Sequence, residues 1–244
     1  MNVLLILTVA LLPVALLLLY IYKTDPQPEP KALLAKAFFY GVLIIFPVVV
    51  VEFSIETLLS GIMSVFPFFG ATLKAFLVAA IPEEGFKLLA LWLLVRKNPY
   101  FDEHIDGIVY AVFVSLGFAA VENIMYLFDN QEEFIQVGVM RALLAVPGHY
   151  AFGILMGFFY SLYYFVNRSN RNKTMMFVAP VLAHGIYDNL LFWGEVSPIL
   201  GCIGVIAVIF FCIRMHRFCY NRIQSHKHRD EKFFGSNYGE DSMA

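Results

Sequence analysis

Charge is scarce in this chain. Only 15% of its 244 residues are Asp, Glu, Lys or Arg, against 60% apolar, and a soluble domain of this size needs more polar surface than that. Cysteine is sparse too: Cys202, Cys212 and Cys219 form no CxxC pair, which excludes a disulfide scaffold and a cysteine-based zinc cluster. No GxSxG, HExxH or GxGD occurs, so the motifs of serine hydrolases, zincins and intramembrane aspartyl proteases are missing. There is no internal repeat and no low-complexity run. The net charge of -2 comes from charges segregated by loop and gives no support to a nucleic-acid partner.

What the chain does have is apolar helix-forming sequence, with a mean hydropathy of +0.72. A hydrocarbon core of about 30 Å needs about 20 such residues per crossing. Seven stretches qualify: Val3 to Tyr22, Leu33 to Val51, Leu73 to Val95, Ile105 to Leu127, Ala142 to Val166, Thr174 to Trp193 and Ser197 to Ile213. The expected fold class is all-α, a polytopic transmembrane helix bundle in which residues 1–213 form one domain with a motif-bearing core over 73–193. The first stretch lacks a basic n-region, so it reads as a retained helix rather than a signal peptide. Glu52 to Thr72, interrupted by Pro67, reads as an interfacial helix, with an eighth span as the alternative.

Loop charge sets the expected orientation. Lys23, Lys31 and Lys36, then Arg96 and Lys97, then Arg168, Arg171 and Lys173 fall on alternate connections, while Glu52, Glu56, Asp129, Glu132, Glu133 and Glu195 fall on the others. Basic loops stay cytoplasmic, which predicts an outside N-terminus and a cytoplasmic C-terminus in a multi-pass cell-membrane protein. Residues 214–244 are polar and mixed in charge, predicting a poorly ordered cytoplasmic tail.

Within this setting, "AAIPEEGFKLLALWLLV" at Ala79 to Val95 is anomalous, because Glu83, Glu84 and Lys87 sit inside a span. Each ionised group near the bilayer centre costs about 2.5 to 3.5 kcal/mol on insertion scales. The i,i+4 and i,i+3 spacings let both glutamates reach the lysine; a self-neutralising ion pair is the bland reading. One lysine cannot neutralise two carboxylates. Further spans add Glu122 and Asn123, His149, and His184 with Asp188. At about 1.5 Å rise per residue these groups lie between about 8 and 15 Å from the outer ends of their helices, in one layer. Pro82, Pro147 and Pro180 lie just upstream in the same helices and free backbone carbonyls there. Gly153 and Gly157 form a GxxxG suited to close helix contact.

This inventory suits activation of water. A desolvated carboxylate makes a general base, and histidines can polarise an amide carbonyl and protonate its leaving nitrogen. The same side chains can ligate Zn²⁺, in which case the ligands are His149, His184, Glu83 and Glu122. A proton-coupled transporter also places such groups in the membrane, although transporters carry internal repeats that this chain lacks.

The ordered set EExxK (Glu83, Glu84, Lys87), FxxxENxxY (Phe118, Glu122, Asn123, Tyr126), HxxxG (His149, Gly153) and HxxxD (His184, Asp188), with "DGIVY" at Asp106 to Tyr110, resembles the PrsW family of bacterial intramembrane proteases. That family is distantly similar to the CAAX prenyl endopeptidase and bacteriocin-immunity superfamily. The resemblance implies a protease making the site-1 cut in a single-span anti-sigma factor of a stress-response pathway, near the extracytoplasmic face. It also implies Glu83 as base, by analogy with the tandem glutamates of the wider superfamily, whose members carry a histidine where this chain has Glu122. The resulting expectation is a metal-independent glutamate protease. Glu83 activates water with Glu84 and Lys87 in support, His149, His184 and Asp188 polarise the carbonyl and leaving group, and Phe118, Glu122 and Asn123 assist. The partners are a single-span substrate and the lipid bilayer, and no cofactor is required, zinc being the alternative.

Overall fold

The computed structural model describes residues 3–240, with side chains through Lys232, and among these residues there are helices and no strands. In chain order they are α1 (Val3–Thr24), α2 (Lys31–Val65), α3 (Pro67–Leu73), α4 (Ile81–Val95), α5 (His104–Asp129), α6 (Phe134–Met140), α7 (Val146–Ser161), α8 (Asn170–Val196) and α9 (Pro198–Glu240). Three π-helical segments, Lys74–Ala80, Arg141–Ala145 and Leu162–Val166, join or extend these pieces without a break in helicity. Six helical runs are long and apolar enough to cross a membrane. The seventh expected crossing is the composite run 67–95, built of α3, a π segment and α4.

The connections collect at two ends. Residues 25–30, 96–103 and 167–169, with Lys23, Lys31, Arg96, Lys97, Arg168 and Arg171 in or beside them, form the basic end; residue 66, residues 130–133 and residue 197, with Glu132, Glu133 and Glu195 in or beside them, form the acidic end. Helix starts follow local chemistry. Ser169 caps α8 by accepting from the Asn172 amide, and Glu103 with Asp106 forms a reciprocal capping box at α5.

Two expectations need correction. Glu52 to Val65 is neither an interfacial helix nor a span of its own but the continuation of α2, which breaks only at Phe66, before Pro67. Nothing between Val51 and Val65 terminates a helix. Ser54, Thr57, Ser60 and Ser64 return their hydroxyls to carbonyls three or four residues back, a bond that lets polar residues sit in helix. Of the tail expected to be poorly ordered over 214–244, residues 214–240 extend α9 and 241–244 lie outside the described residues. The reason is a stripe of Cys212, Met215, Cys219, Ile223, His226 and Asp230, all buried at spacings of three and four. At its far end Asp230 accepts from the His104 and Ile105 amides at 2.8 and 3.0 Å, satisfying two otherwise unpaired donors of α5.

Helix α5 is the central pillar, packed on α7, α2, α1 and α9. Between lipid-facing helices there is little hydrophobic driving force, so close contact depends on small residues. A Cβ on Gly157 would overlap the Gly107 carbonyl oxygen and crowd Ile108, which brings α5 and α7 backbone to backbone. Gly41 against Val114, and Gly117 against Phe38, do the same for α2 and α5. Beyond Val48 no α2 residue is buried. In that stretch Val49, Glu52 and Glu56 of α2 line a cavity together with Phe118, Glu122, Met125, Tyr126 and Asp129 of α5.

Candidate active site

The proline positions shape the backbone around the polar layer. Pro82 has no amide hydrogen for its i−4 carbonyl, and the π segment Lys74–Ala80 ends just before it, with the Ile81 amide reaching back to Phe76. Pro147 stands in the same relation to Arg141–Ala145, where the Val146 amide reaches back to Arg141. Such wide turns are concentrated at functional sites. They end three residues before Glu83 and four before His149. Pro180, by contrast, sits within a helix α8 that stays α-helical throughout.

Lys87 is the hub. It is 1% exposed, and its ammonium donates to Glu83 Oε2 at 2.9 Å, Glu84 Oε1 at 2.8 Å and His149 Nδ1 at 3.2 Å. All three of its N–H groups are thereby used. The ammonium also lies 4.4 Å from the centre of the Phe118 ring, a favourable cation–π contact. Because His149 Nδ1 accepts from a lysine, Nε2 carries the ring proton and donates to Glu122 Oε2 at 2.8 Å. Both nitrogens of His149 are thus engaged.

His184 faces three carboxylates. Its Nδ1 lies 3.0 Å from Glu84 Oε1, and its Nε2 lies 3.2 Å from Asp188 Oδ2 and 3.9 Å from Glu83 Oε1. Ionised carboxylates only accept, so this group holds either an imidazolium or a protonated carboxyl. The ring stacks on Phe152 at 4.7 Å, which fixes its plane. Glu84 is fully buried, and its second oxygen has no hydrogen-bond partner among the described residues. Glu83 is 5% exposed and bonds Lys87 through one oxygen. Its other oxygen makes no hydrogen bond among the described residues, and Glu83 lines the cavity.

That cavity measures about 520 Å³ and is also walled by Glu52, Glu122, His149, His184 and Asp188. Glu83, Glu84, Lys87, Glu122, His149, His184 and Asp188 therefore lie together, drawn from α4, α5, α7 and α8. Phe118 forms part of the floor. Asn123 does not face the cavity; its amide donates to the Ala10 carbonyl of α1 and accepts from Arg141 Nε at 2.6 Å. The ligand set His149, His184, Glu83 and Glu122 shares this wall, but among the described residues the group whose ligand atoms all lie within 4.8 Å of one another is Glu83, Glu84 and His149.

Sequence reasoning missed two participants. Arg141 pairs with Glu122 at 2.7 Å and stacks 3.9 Å above Tyr126. A lone arginine in "VGVMRALLAV" was the available sign. Glu52, read from its position as part of an acidic connection, instead projects from α2 onto the cavity wall; only the unbroken course of α2 reveals this.

Residues 29–215 match the family described as PrsW family intramembrane metalloprotease. The chain is 36% identical over 187 residues to Protease PrsW of Oceanobacillus iheyensis, covering 76% of this chain and 82% of that protein. Against Protease PrsW of Bacillus subtilis identity is 37% over 189 residues, with 76% and 82% covered. Protease PrsW of Clostridioides difficile gives 33% over 171 residues, with 67% and 68% covered. No solved structure matches the chain.

Proposed function

The chain belongs to the PrsW family of intramembrane proteases, and from that membership and the polar cluster we propose that it hydrolyses a peptide bond by a metal-independent glutamate mechanism. The observation that carries this reading is Glu83: one oxygen is held by Lys87, and the other is free of hydrogen bonds among the described residues and faces the cavity. A water in the cavity gives its proton to that oxygen as its own oxygen attacks the scissile carbonyl. Glu83 then passes the proton to the leaving nitrogen. Positioned proton transfer of this kind contributes about 10²- to 10⁴-fold.

Lys87 orients Glu83 by donating to its Oε2 at 2.9 Å. His184 is held by Glu84 at Nδ1 and by Asp188 at Nε2; with substrate bound, its Nε2–H exchanges the cavity-lining Asp188 for the carbonyl oxygen as negative charge develops there, and one such donor is worth about 10²- to 10³-fold. His149 has no free nitrogen, so its part is to orient Lys87 and Glu122. Asn123 positions Arg141, which holds Glu122 in turn.

The family description names a metalloprotease, and the residues in place do not fit an ion. The converging ligand atoms of Glu83, Glu84 and His149 already surround the Lys87 ammonium. The resemblance supplies the finer reading of substrate and side: a single-span anti-sigma factor in a stress-response pathway, cut near the extracytoplasmic face, with the acidic end of the bundle outside.

The test is purified full-length protein in proteoliposomes with a panel of single-span proteins bearing extracytoplasmic domains. Fragment masses and bound metal are measured before and after chelation. Cleavage that persists without metal is expected. Stoichiometric zinc whose removal abolishes cleavage would overturn the glutamate mechanism, and no fragment from any panel member would overturn the protease.

A further inference from the structure

The walls of the cavity are unequally charged. Glu52, Glu56, Glu83, Glu122, Asp129 and Asp188 line it against only Lys74 and Arg141. Arg141 is paired with Glu122 at 2.7 Å, Lys87 holds Glu83 at 2.9 Å and His184 lies 3.2 Å from Asp188, while Lys74 is taken by Glu195, outside the cavity, at 2.8 Å. Glu52, Glu56 and Asp129 take part in no ion pair among the described residues. Deeper in the same cavity, the nine-tenths-buried Glu83 holds an oxygen with no hydrogen bond among the described residues. The carboxylates of this cavity that have no cation beside them are therefore those of Glu52, Glu56 and Asp129.

Glu52 and Glu56 are one turn apart on a single face of α2, in the stretch beyond Val48 that no other helix buries. Glu122 and Asp129 of α5 line the same cavity, with the exposed side chains of Met125 and Tyr126. The α2 side carries exposed Phe53 and Leu58 at 71% and 82%. An acidic strip is thus framed by apolar side chains on the two helices that line the cavity here. A transmembrane segment approaching between them meets grease along its span and carboxylates where its flank begins.

We propose that Glu52 and Glu56, with Asp129, are specificity determinants that select single-span substrates carrying lysine or arginine in the flank adjoining the scissile bond. This rests on the protease reading above and names the substrate chemistry of that same site. A cationic flank supplies the charge that the cavity's own lysine and arginine do not. An acidic flank is repelled, and like-charge juxtaposition is an effective way to exclude partners. The interaction lies at the membrane boundary, so it weakens with salt.

The experiment uses full-length protein in neutral detergent and two synthetic peptides sharing a Leu/Ala span of about 20 residues. One carries a lysine-rich flank, the other an aspartate-rich flank, and dissociation constants come from fluorescence anisotropy. The lysine peptide is expected to bind at least about tenfold more tightly, about 1.4 kcal/mol, and less so at high salt. In the Glu52→Gln/Glu56→Gln double variant the preference falls to about threefold or less, and in Glu52→Lys/Glu56→Lys it inverts, an effect that a purely structural role for these positions would not produce. Equal binding by the wild type, or a preference untouched in the double variants, would overturn the proposal. A wild type without preference that still cuts single-span proteins overturns this inference alone. A charge preference without any cleavage supports it and counts against the protease reading.

Discussion

Replacing Lys87 with methionine removes the one side chain that both glutamates share. Its ammonium lies 2.9 Å from Glu83 and 2.8 Å from Glu84, with Lys87 1% and Glu84 0% exposed. At an effective dielectric of 20 each contact represents about 6 kcal/mol of gross attraction. Much of that offsets the cost of removing the ions from water, so the measured loss is expected to be the about 3 to 5 kcal/mol typical of orphaning a buried charge. The assay is reversible unfolding in mixed micelles, followed by helical circular dichroism. Because the loss comes from leaving carboxylates unpaired, Lys87→Met/Glu84→Gln should recover part of it. The cycle should then return a coupling of at least about 2 kcal/mol between the two positions. A Lys87→Met protein within about 1 kcal/mol of wild type, or strictly additive variants, would refute the view that Lys87 neutralises the pair.

Gly157→Ala is expected to cost about 1 to 3 kcal/mol by overpacking α7 on α5, since the added methyl meets the Gly107 backbone. Gly61→Ala, with nothing within 4 Å of the new Cβ, should be neutral or stabilising by up to about 1 kcal/mol; thermal unfolding in detergent compares them. Asp230→Ala removes the acceptor of two α5 amides and should cost about 0.5 to 2 kcal/mol in the same assay. In the loops of the basic end, burial aided by Asp230 and Asp25 raises Glu103 to about 7, and burial raises Glu29 to about 7 despite the hydrogen bond from Tyr110. A carboxyl raised in the folded state holds its proton where the unfolded chain has lost it, so stability falls as pH rises from the ordinary carboxyl range to about 7 and levels off above. The melting temperature should follow that course, and Glu103→Gln should flatten it; a rise over the same interval would contradict the assignment.

How much of this was visible in the sequence depended on whether the governing interaction was local. The Glu83–Lys87 and Glu84–Lys87 contacts follow from i,i+4 and i,i+3 spacing on one helix and are found as such. That four spans would contribute to one polar layer followed from the cost of isolated charge in lipid. The partner of each group did not follow, because it depends on helix rotation. Asn123 turns to α1 and Arg141 rather than to the cavity, and His149 is committed to Lys87 and Glu122. The course of α2 past Val51 was obscured by its serines, threonines and glutamates, which read as a boundary although their hydroxyls bond back into the helix. In α9 the charged surface hid a buried stripe that ends in a cap on another helix.

The central claim is that the free oxygen of Glu83 takes the proton from the attacking water. Single-turnover cleavage of a single-span protein in proteoliposomes, comparing wild type with Glu83→Gln and monitoring the fold by circular dichroism, tests it most directly. A folded Glu83→Gln protein slowed by at least about 10²-fold is the predicted result. A folded variant cutting at the wild-type rate would contradict the account.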